Sequence, residues 1–449
     1  MEKRGAAARF TFCLAVFGTL AGMLLAALAP AGAAAASPDR CFWEPFFTRN
    51  TVGDPEKNFA YPDTEVSYWG ARFNLPAEAR MVLRGYYSHS RYQSVNAYIS
   101  GAPSDTLRDV QIRPQRGSVN PFVPGHRRDL KFKKRRWKMT VLDAAVPAGA
   151  RKPNTIYASA NGGVQELLYR VYLPDRGTGV AGGVPVPSMT LILEDGRSLT
   201  GSAACALINN PVRTMTPLRL PQATFESMVN TPGAKFETAP AFSPPRWERF
   251  FNFAYALGIF KEGTPSESDR ASADASDTGG QYSNGDARYI MTAINDHYGK
   301  VLVLRAKMPT FPRTWKGSRR AGSGQVRYWS LCENESPLTT SVIACLYDEQ
   351  VPLTRKRRYT IVVSTAANRP RTATRKCGVA WLKWGNYVDS LGRGGTGTLI
   401  MRNLIASPKF KQAIQNIHKP GQESAVMGPY MPKSTYMDKA DFVAPRCRN

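Results

Sequence analysis

The chain has 449 residues, a formal net charge of +26, seven cysteines and four histidines. That length suffices for roughly two or three domains, each with a core of its own. The histidines are scattered (His89, His126, His297, His418) and no CxxC occurs. This excludes the common zinc frameworks, and neither a metal nor another cofactor is expected.

Residues 1–36 read as a signal peptide. Lys3, Arg4 and Arg9 form a positive start, Phe10 to Leu28 is largely apolar, and Pro30 ends the run. Ala34, Ala35 and Ala36 then offer the small residues a signal peptidase requires before Ser37. A retained anchor is the alternative, which the small-residue exit disfavours. No later stretch is apolar enough to cross a bilayer. A secreted or periplasmic protein is therefore expected, and loss of the peptide lowers the net charge from +26 to +24. Such a balance suits anionic partners: an acidic polysaccharide, lipid headgroups or nucleic acid, bound without specificity. After cleavage Cys41, Cys205, Cys332, Cys345, Cys377 and Cys447 remain, an even set for an oxidising compartment. Only Cys332 and Cys345 have a local pairing argument, since RYWSLC and SVIACLYD flank a polar turn and read as a stapled hairpin.

Segment 37–60 is irregular and aromatic, with Cys41 placed to tie it down. Tyr61 to Ser90 opens a repeat: shifted by 221 residues it falls on Tyr282 to Phe311, with Tyr68 meeting Tyr289 and Arg84 meeting Arg305. The repetition continues at slightly different offsets. Arg91-Tyr92-Gln93-Ser94 returns as Arg327-Tyr328-Trp329-Ser330, the strand from Trp137 returns from Tyr359, and Leu167 to Arg170 returns as Leu399 to Arg402. Short runs rich in Val, Leu, Ile, Tyr and Thr, bounded by Gly, Pro, Asp or Asn, predict strands of an antiparallel sandwich. The expected fold is mainly β: two tandem homologous antiparallel β-sandwich-like domains with a few peripheral helices. The first spans 37–240 and the second 281–449, joined over 241–280 by a helix and a flexible Ser/Asp-rich linker. Glu267, Asp269, Asp274 and Asp277 in that linker lack the Gly and closing Glu of an ordered calcium loop. After the last strand, Ser407-Pro408 predicts a helix with Phe410, Ala413, Ile414 and Ile417 on one face.

The most suggestive chemistry is basic and also duplicated. Lys133, Lys134, Arg135 and Arg136 precede one strand, and Arg355, Lys356, Arg357 and Arg358 precede its equivalent, at an offset of 222. Four adjacent cations repel one another unless an anion is near or the turn is fully solvated. The expected anion-binding residues are these eight, helped by Arg313, Lys316, Arg319 and Arg320 of an insertion in the second copy. The competing reading is a solvated turn that blunts a strand edge. No catalytic residue is expected. Ser94 and Ser330 lack a GxSxG elbow and a spaced His or acid. Gly392 to Gly397 formally fits GxGxxG but precedes a strand rather than opening a helix. Arg84, Arg305, Arg170 and Arg402 sit on apolar strands, where a carboxylate partner is expected. An exported protein of unknown function that binds an anionic polymer or surface is the leading expectation. A secreted hydrolase with its site between the two repeats is the alternative.

The stretches RGYYSHSRYQSVNAYI, LRDVQIRPQRGSVNPFVPG, YRVYLPDRGTGVAGGVPVP and QVRYWSLC resemble a family of uncharacterised secreted bacterial proteins, over most of the mature chain. More distantly, RYWS-L, TIVVS, VAWLKWG and LIMRN resemble a C-terminal β-domain of unknown function in bacterial envelope proteins. That resemblance implies a β-sandwich and no catalytic residues. Such relatives place a Gly-containing turn where the basic turns stand here.

Overall fold

Hydrogen-bonded strands occupy the β-branched and aromatic runs, as their pleated packing favours. The structure is a computed structural model describing residues 42–158, 163–208, 215, 220–230, 234–262, 267–275, 277 and 279–447. The signal-peptide reading and Cys41 lie outside these residues. The first strands are β1 (Glu44–Phe47), β2 (Val66–Phe73), β3 (Arg80–Tyr86), β4 (Ser90–Ile99), β5 (Ala102–Arg108), β6 (Arg136–Leu142), β7 (Thr155–Tyr157), β8 (Gln165–Pro174), β9 (Ser188–Ile192) and β10 (Ser198–Leu199). They make two sheets, ordered β1-β2-β8-β4-β5 and β10-β9-β3-β6-β7. Trp69, Leu83, Val95, Val141, Tyr169 and Leu191, drawn from both sheets, are buried together.

Helices α1 (Gly201–Ile208) and α2 (Gln222–Val229) follow. Next come β11 (Glu248–Arg249), α3 (Phe253–Glu262), α4 (Glu267–Ala275), β12 (Ala287–Asn295), β13 (Val301–Lys307), β14 (Val326–Asn334), β15 (Val342–Tyr347), β16 (Arg358–Ser364), β17 (Ala380–Lys383), β18 (Thr396–Ala406), α5 (Glu423–Met427) and β19 (Lys433–Met437). Their sheets are β11-β12-β18-β14-β15 and β17-β16-β13-β19. The first sheets of the two copies share one strand order, and β17-β16-β13-β19 repeats β7-β6-β3-β9 with no partner for β10, so the repeat in sequence is a repeat of fold. The sheets of β8 and β18 are wholly antiparallel, and the other two each add one parallel pair, β6–β7 and β16–β17.

The duplication reaches further upstream than Tyr282. Glu44 of β1 pairs with Gly70, and Glu248 of β11 pairs with Met291, the residue 221 places after Gly70. The sequence carries the sign: Trp43-Glu44-Pro45-Phe46-Phe47 and Trp247-Glu248-Arg249-Phe250-Phe251 are alike. Segment 241–280 therefore belongs to the second sandwich, where Trp247, Phe251, Tyr255 and Ala273 join the core. Part of its Ser/Asp-rich stretch is helical, as α4. The helix expected after Pro408 is replaced by turns and a short 3-10 segment, Ile414–Asn416. Phe410, Ala413, Ile414 and Ile417 are nonetheless buried, since turns can bury the same side chains.

Strands β8 and β18 explain the chain's long apolar runs. Leu167, Tyr169 and Val171 point into the first core, while Leu168 and Tyr172 join a separate cluster with Tyr328, Val342 and Leu404 of the second sandwich. A strand buried on both faces shows no alternation of polarity. The β8 and β18 sheets thus share a core, and the described residues form one compact unit. Disulfides join Cys332 to Cys345 and Cys377 to Cys447, and Cys205 is also disulfide-bonded. Among the described residues no helix is long and apolar enough to cross a membrane.

Candidate functional site

The junction of the two sandwiches is reciprocal. Arg91 donates to Asp348 at 2.8 Å and to Glu349 at 2.6 Å. Its equivalent, Arg327, donates to Asp109, the counterpart of Asp348, at 3.2 Å. Arg170 donates to the Tyr282 carbonyl, and Arg402 donates to the Tyr61 carbonyl. Tyr61 and Tyr282 share a left-handed backbone, with φ of 51° and 54°, and each amide donates to the facing copy, to Thr340 and Gly101 respectively. Identical strained positions on both sides show that the repeated Tyr61 stretch is an interlock between copies. Burial raises the Asp109 carboxyl to about 6 even though Arg327 pulls it down.

The two basic turns occupy equivalent places, and each has one arginine turned inward. Arg135 is 1% exposed. It donates through Nε to the Tyr87 carbonyl (2.5 Å) and through its Nη atoms to the carbonyls of Arg128 and Ser88 (both 2.6 Å). Burial, and then the neighbouring Arg128 guanidinium, push it down to about 10. Arg357 does the same for the Met308 and Pro309 carbonyls, at 3.1 and 2.6 Å. Both therefore leave the expected anion-binding set: they satisfy carbonyls where β3 and β13 end. Lys133, Lys134 and Arg136, and Arg355, Lys356 and Arg358, are solvent-exposed or nearly so.

What the sequence did not reveal is that the insertion of the second copy pairs with the basic segment of the first. Arg127 and Arg320 form an antiparallel bridge, extended by hydrogen bonds from Gly125 to Ala321 and from Arg128 to Arg319. Arg127, Ser318, Arg319 and Arg320 surround an open cleft of about 570 Å³. Asp129 serves two of these cations, at 2.9 Å from Arg127 and 3.2 Å from Arg319, which hold its carboxyl well below the usual range. At its other end the insertion meets the second turn, where Arg313 lies near Arg357 and Phe311 underlies the Arg357 guanidinium at 5.2 Å. The insertion thus runs from one basic turn to the other.

The other candidate residues are structural. Ser94 Oγ donates to Asn96 at 2.7 Å, and Ser330 Oγ to Asp63 at 2.6 Å. His89 is held neutral, down to about 4, by partial burial and the guanidinium groups of Arg135 and Arg128. Asp63 lies near Cys332 and Cys345, but the disulfide removes both thiolates as metal ligands. Asp277 is taken by Arg249 (2.5 Å) and Arg288 (3.1 Å). Arg84 is exposed and donates to Thr190, and Arg305 is likewise exposed, so neither needs the carboxylate expected for it. Arg402 lies 3.9 Å from Asp63, whereas Arg170 pairs with no acid among the described residues.

No family model matches the chain, and no curated protein does. Among solved structures it is similar to an uncharacterized protein from Burkholderia cenocepacia, at 12% identity and a TM-score of 0.46, covering 86% of this chain and 80% of that one. It is also similar to a protein from Vibrio parahaemolyticus, at 10% identity and a TM-score of 0.37, covering 89% and 96%.

Proposed function

We propose that the protein is an exported, non-enzymatic binding protein that holds an acidic polysaccharide on the basic surface running along the insertion. The observation that carries this reading is the pairing of Arg127 with Arg320. It sets three arginines around one open cleft, with Asp129 as their one acidic partner among the described residues. Lys133, Lys134 and Arg136 lie a few residues along the same segment. Like charges held together in exposed backbone pairing repel one another, and a polyanion relieves that repulsion. The disulfides support the export reading, because such bonds persist in oxidising compartments.

The test is retention on a heparin column under a salt gradient. Replacing Arg127, Arg319 and Arg320 with Gln is expected to lower the eluting salt concentration substantially, and adding Lys133→Gln, Lys134→Gln and Arg136→Gln to lower it further. Changing Arg355, Lys356 and Arg358 to Gln is expected to have a smaller effect, since that turn meets the insertion at its other end. Unchanged retention of the six-residue variant would sink the proposal.

A further inference from the structure

Between the sandwiches lies a cavity of about 70 Å³ whose walls are in part duplicated but whose counter-charges are not. Phe46 and Phe250, Tyr68 and Tyr289, and Arg170 and Arg402 line it as equivalent pairs. On one side Arg402 has Asp63 at 3.9 Å. The residue equivalent to Asp63 in the second copy is Asn284, also on the cavity wall. Arg170 therefore lacks the counter-charge that its twin has.

The acids in its neighbourhood are committed elsewhere. Asp286 takes Arg108 at 3.2 Å and the Tyr92 hydroxyl at 2.7 Å. Glu166 takes Arg72 at 3.1 Å and the Gly101 amide at 2.7 Å. Arg170 itself is 1% exposed. Its Nη2 donates to the Tyr282 carbonyl, while Nε and Nη1 make no hydrogen bond among the described residues. The rings of Tyr68 and Tyr98 flank the guanidinium at 5.6 and 5.5 Å. The Tyr98 hydroxyl gives its proton to the Ser283 carbonyl at 2.8 Å and its oxygen can accept from the guanidinium, which still leaves Arg170 with fewer acceptors than its five N–H groups. Ring faces attract a cation without satisfying its N–H groups, and a buried cation with unmet donors is one of the costliest arrangements in a protein interior.

We infer that this cavity is a binding site for a short-chain carboxylate, which accepts from the unmet N–H groups of Arg170 and rests its alkyl group on the aromatic wall. The charge-assisted bond to a guanidinium sets the preference for a carboxylate over a neutral group. The volume sets the length of the chain: it is about half the roughly 150 Å³ that admits benzene. The site is independent of the polysaccharide surface.

The experiment is calorimetric titration of the full purified protein with sodium propionate, and with propionamide as the neutral isostere, at matched ionic strength. Propionate is expected to bind at least ~10-fold more tightly than propionamide, about 1.4 kcal/mol. Asn284→Asp gives Arg170 the partner that Asp63 gives Arg402. It is expected to abolish propionate binding while leaving heparin retention and the urea midpoint unchanged or the midpoint raised. Arg170→Met is expected to lose binding too, and Asn284→Asp keeps the test decisive should that variant not fold. No propionate binding by the natural sequence, equal binding of propionamide, or undiminished binding by Asn284→Asp would each overturn the inference.

Discussion

Replacing Arg91 with Met tests whether the two sandwiches depend on their reciprocal ion pairs. The Arg91 and Asp348 side chains are both fully buried, and Glu349 is 11% exposed. The Arg91 Nε also donates to Thr314 in the insertion, at 2.7 Å. Met keeps the aliphatic stem and removes four hydrogen-bonded contacts to the other copy, to Asp348, Glu349, Thr314 and the Arg327 carbonyl. Removing one partner of a buried pair costs about 3–5 kcal/mol, because the remaining charge is stranded. Burial already raises the Asp348 carboxyl, and Arg91 is the first influence holding it down. Removing Arg91 pushes the Asp348 carboxyl further up, which eases the stranding of its charge and places the loss toward the lower end of that range. Against a total stability of about 5–15 kcal/mol, this is a large fraction. Arg327→Met removes a 3.2 Å contact to Asp109 and a 3.4 Å one to the Arg91 carbonyl from a side chain that is 13% exposed, and is expected to cost about 1–2 kcal/mol. Equilibrium urea unfolding, followed by tryptophan fluorescence and circular dichroism, reads both. Adding Asp348→Asn to Arg91→Met should restore part of the loss, since it removes the stranded acid. If Arg91→Met unfolds within about 0.5 kcal/mol of the natural sequence, or if Arg327→Met costs as much as Arg91→Met, the reasoning fails.

Arg135→Lys should destabilise the protein by about 2–4 kcal/mol in the same assay, because an ammonium cannot hold the three carbonyls that the planar guanidinium reaches; Arg357→Lys, at a half-buried site, should cost less. Replacing Cys332 and Cys345 together with Ala opens a loop with a sequence separation of 13 and should lower stability by about 3 kcal/mol, read as a fall in urea midpoint with secondary structure retained. His89 sits at about 4, below its ordinary 6.5, through burial and the adjacent arginines. Its folded form is thus the neutral one, so its contribution is present above pH 6.5 and is lost as pH falls from 6.5 toward 4. Discounted for partial exposure, the loss is about 1–2 kcal/mol. His89→Gln should therefore flatten the decline in stability between those values, as measured by thermal melts across pH. A parallel decline in both proteins would refute the assignment.

The strand runs were legible because alternation and turn residues are local signals, and the repeat was legible because it survives in those strands. The second copy's true start was missed because Trp247 to Phe251 returns at an offset of 204, not 221, with a longer stretch between Phe251 and Tyr282 than between Phe47 and Tyr61. Helical propensity misled after Pro408, where buried side chains are supplied by turns. The basic turns misled for another reason. Sequence counts charges, but whether a guanidinium faces water or the carbonyls at a strand end depends on how the chain closes. Arg135 and Arg136 are adjacent, yet one is buried and one exposed. The pairing of Arg127 with Arg320 joins residues nearly two hundred positions apart, and no local pattern encodes it.

Comparison of the two copies separates fold from chemistry more sharply than either copy alone. Where they agree, the residues hold the architecture: Arg135 and Arg357 cap strand ends, Arg91 and Arg327 cross the junction, and Tyr61 and Tyr282 share a strained backbone. A duplicated ancestor would need each of these twice, so their recurrence carries no hint of a ligand. The informative positions are those where an equivalent residue changed while its surroundings did not. Asn284 stands where the first copy has Asp63, beside an equivalent arginine and a partly equivalent aromatic wall, and only the second copy carries the insertion with Lys316, Arg319 and Arg320. Selection for stability alone would keep the acid, because a buried guanidinium without one is unfavourable. Its absence on one side leaves that guanidinium open to an anion from solution.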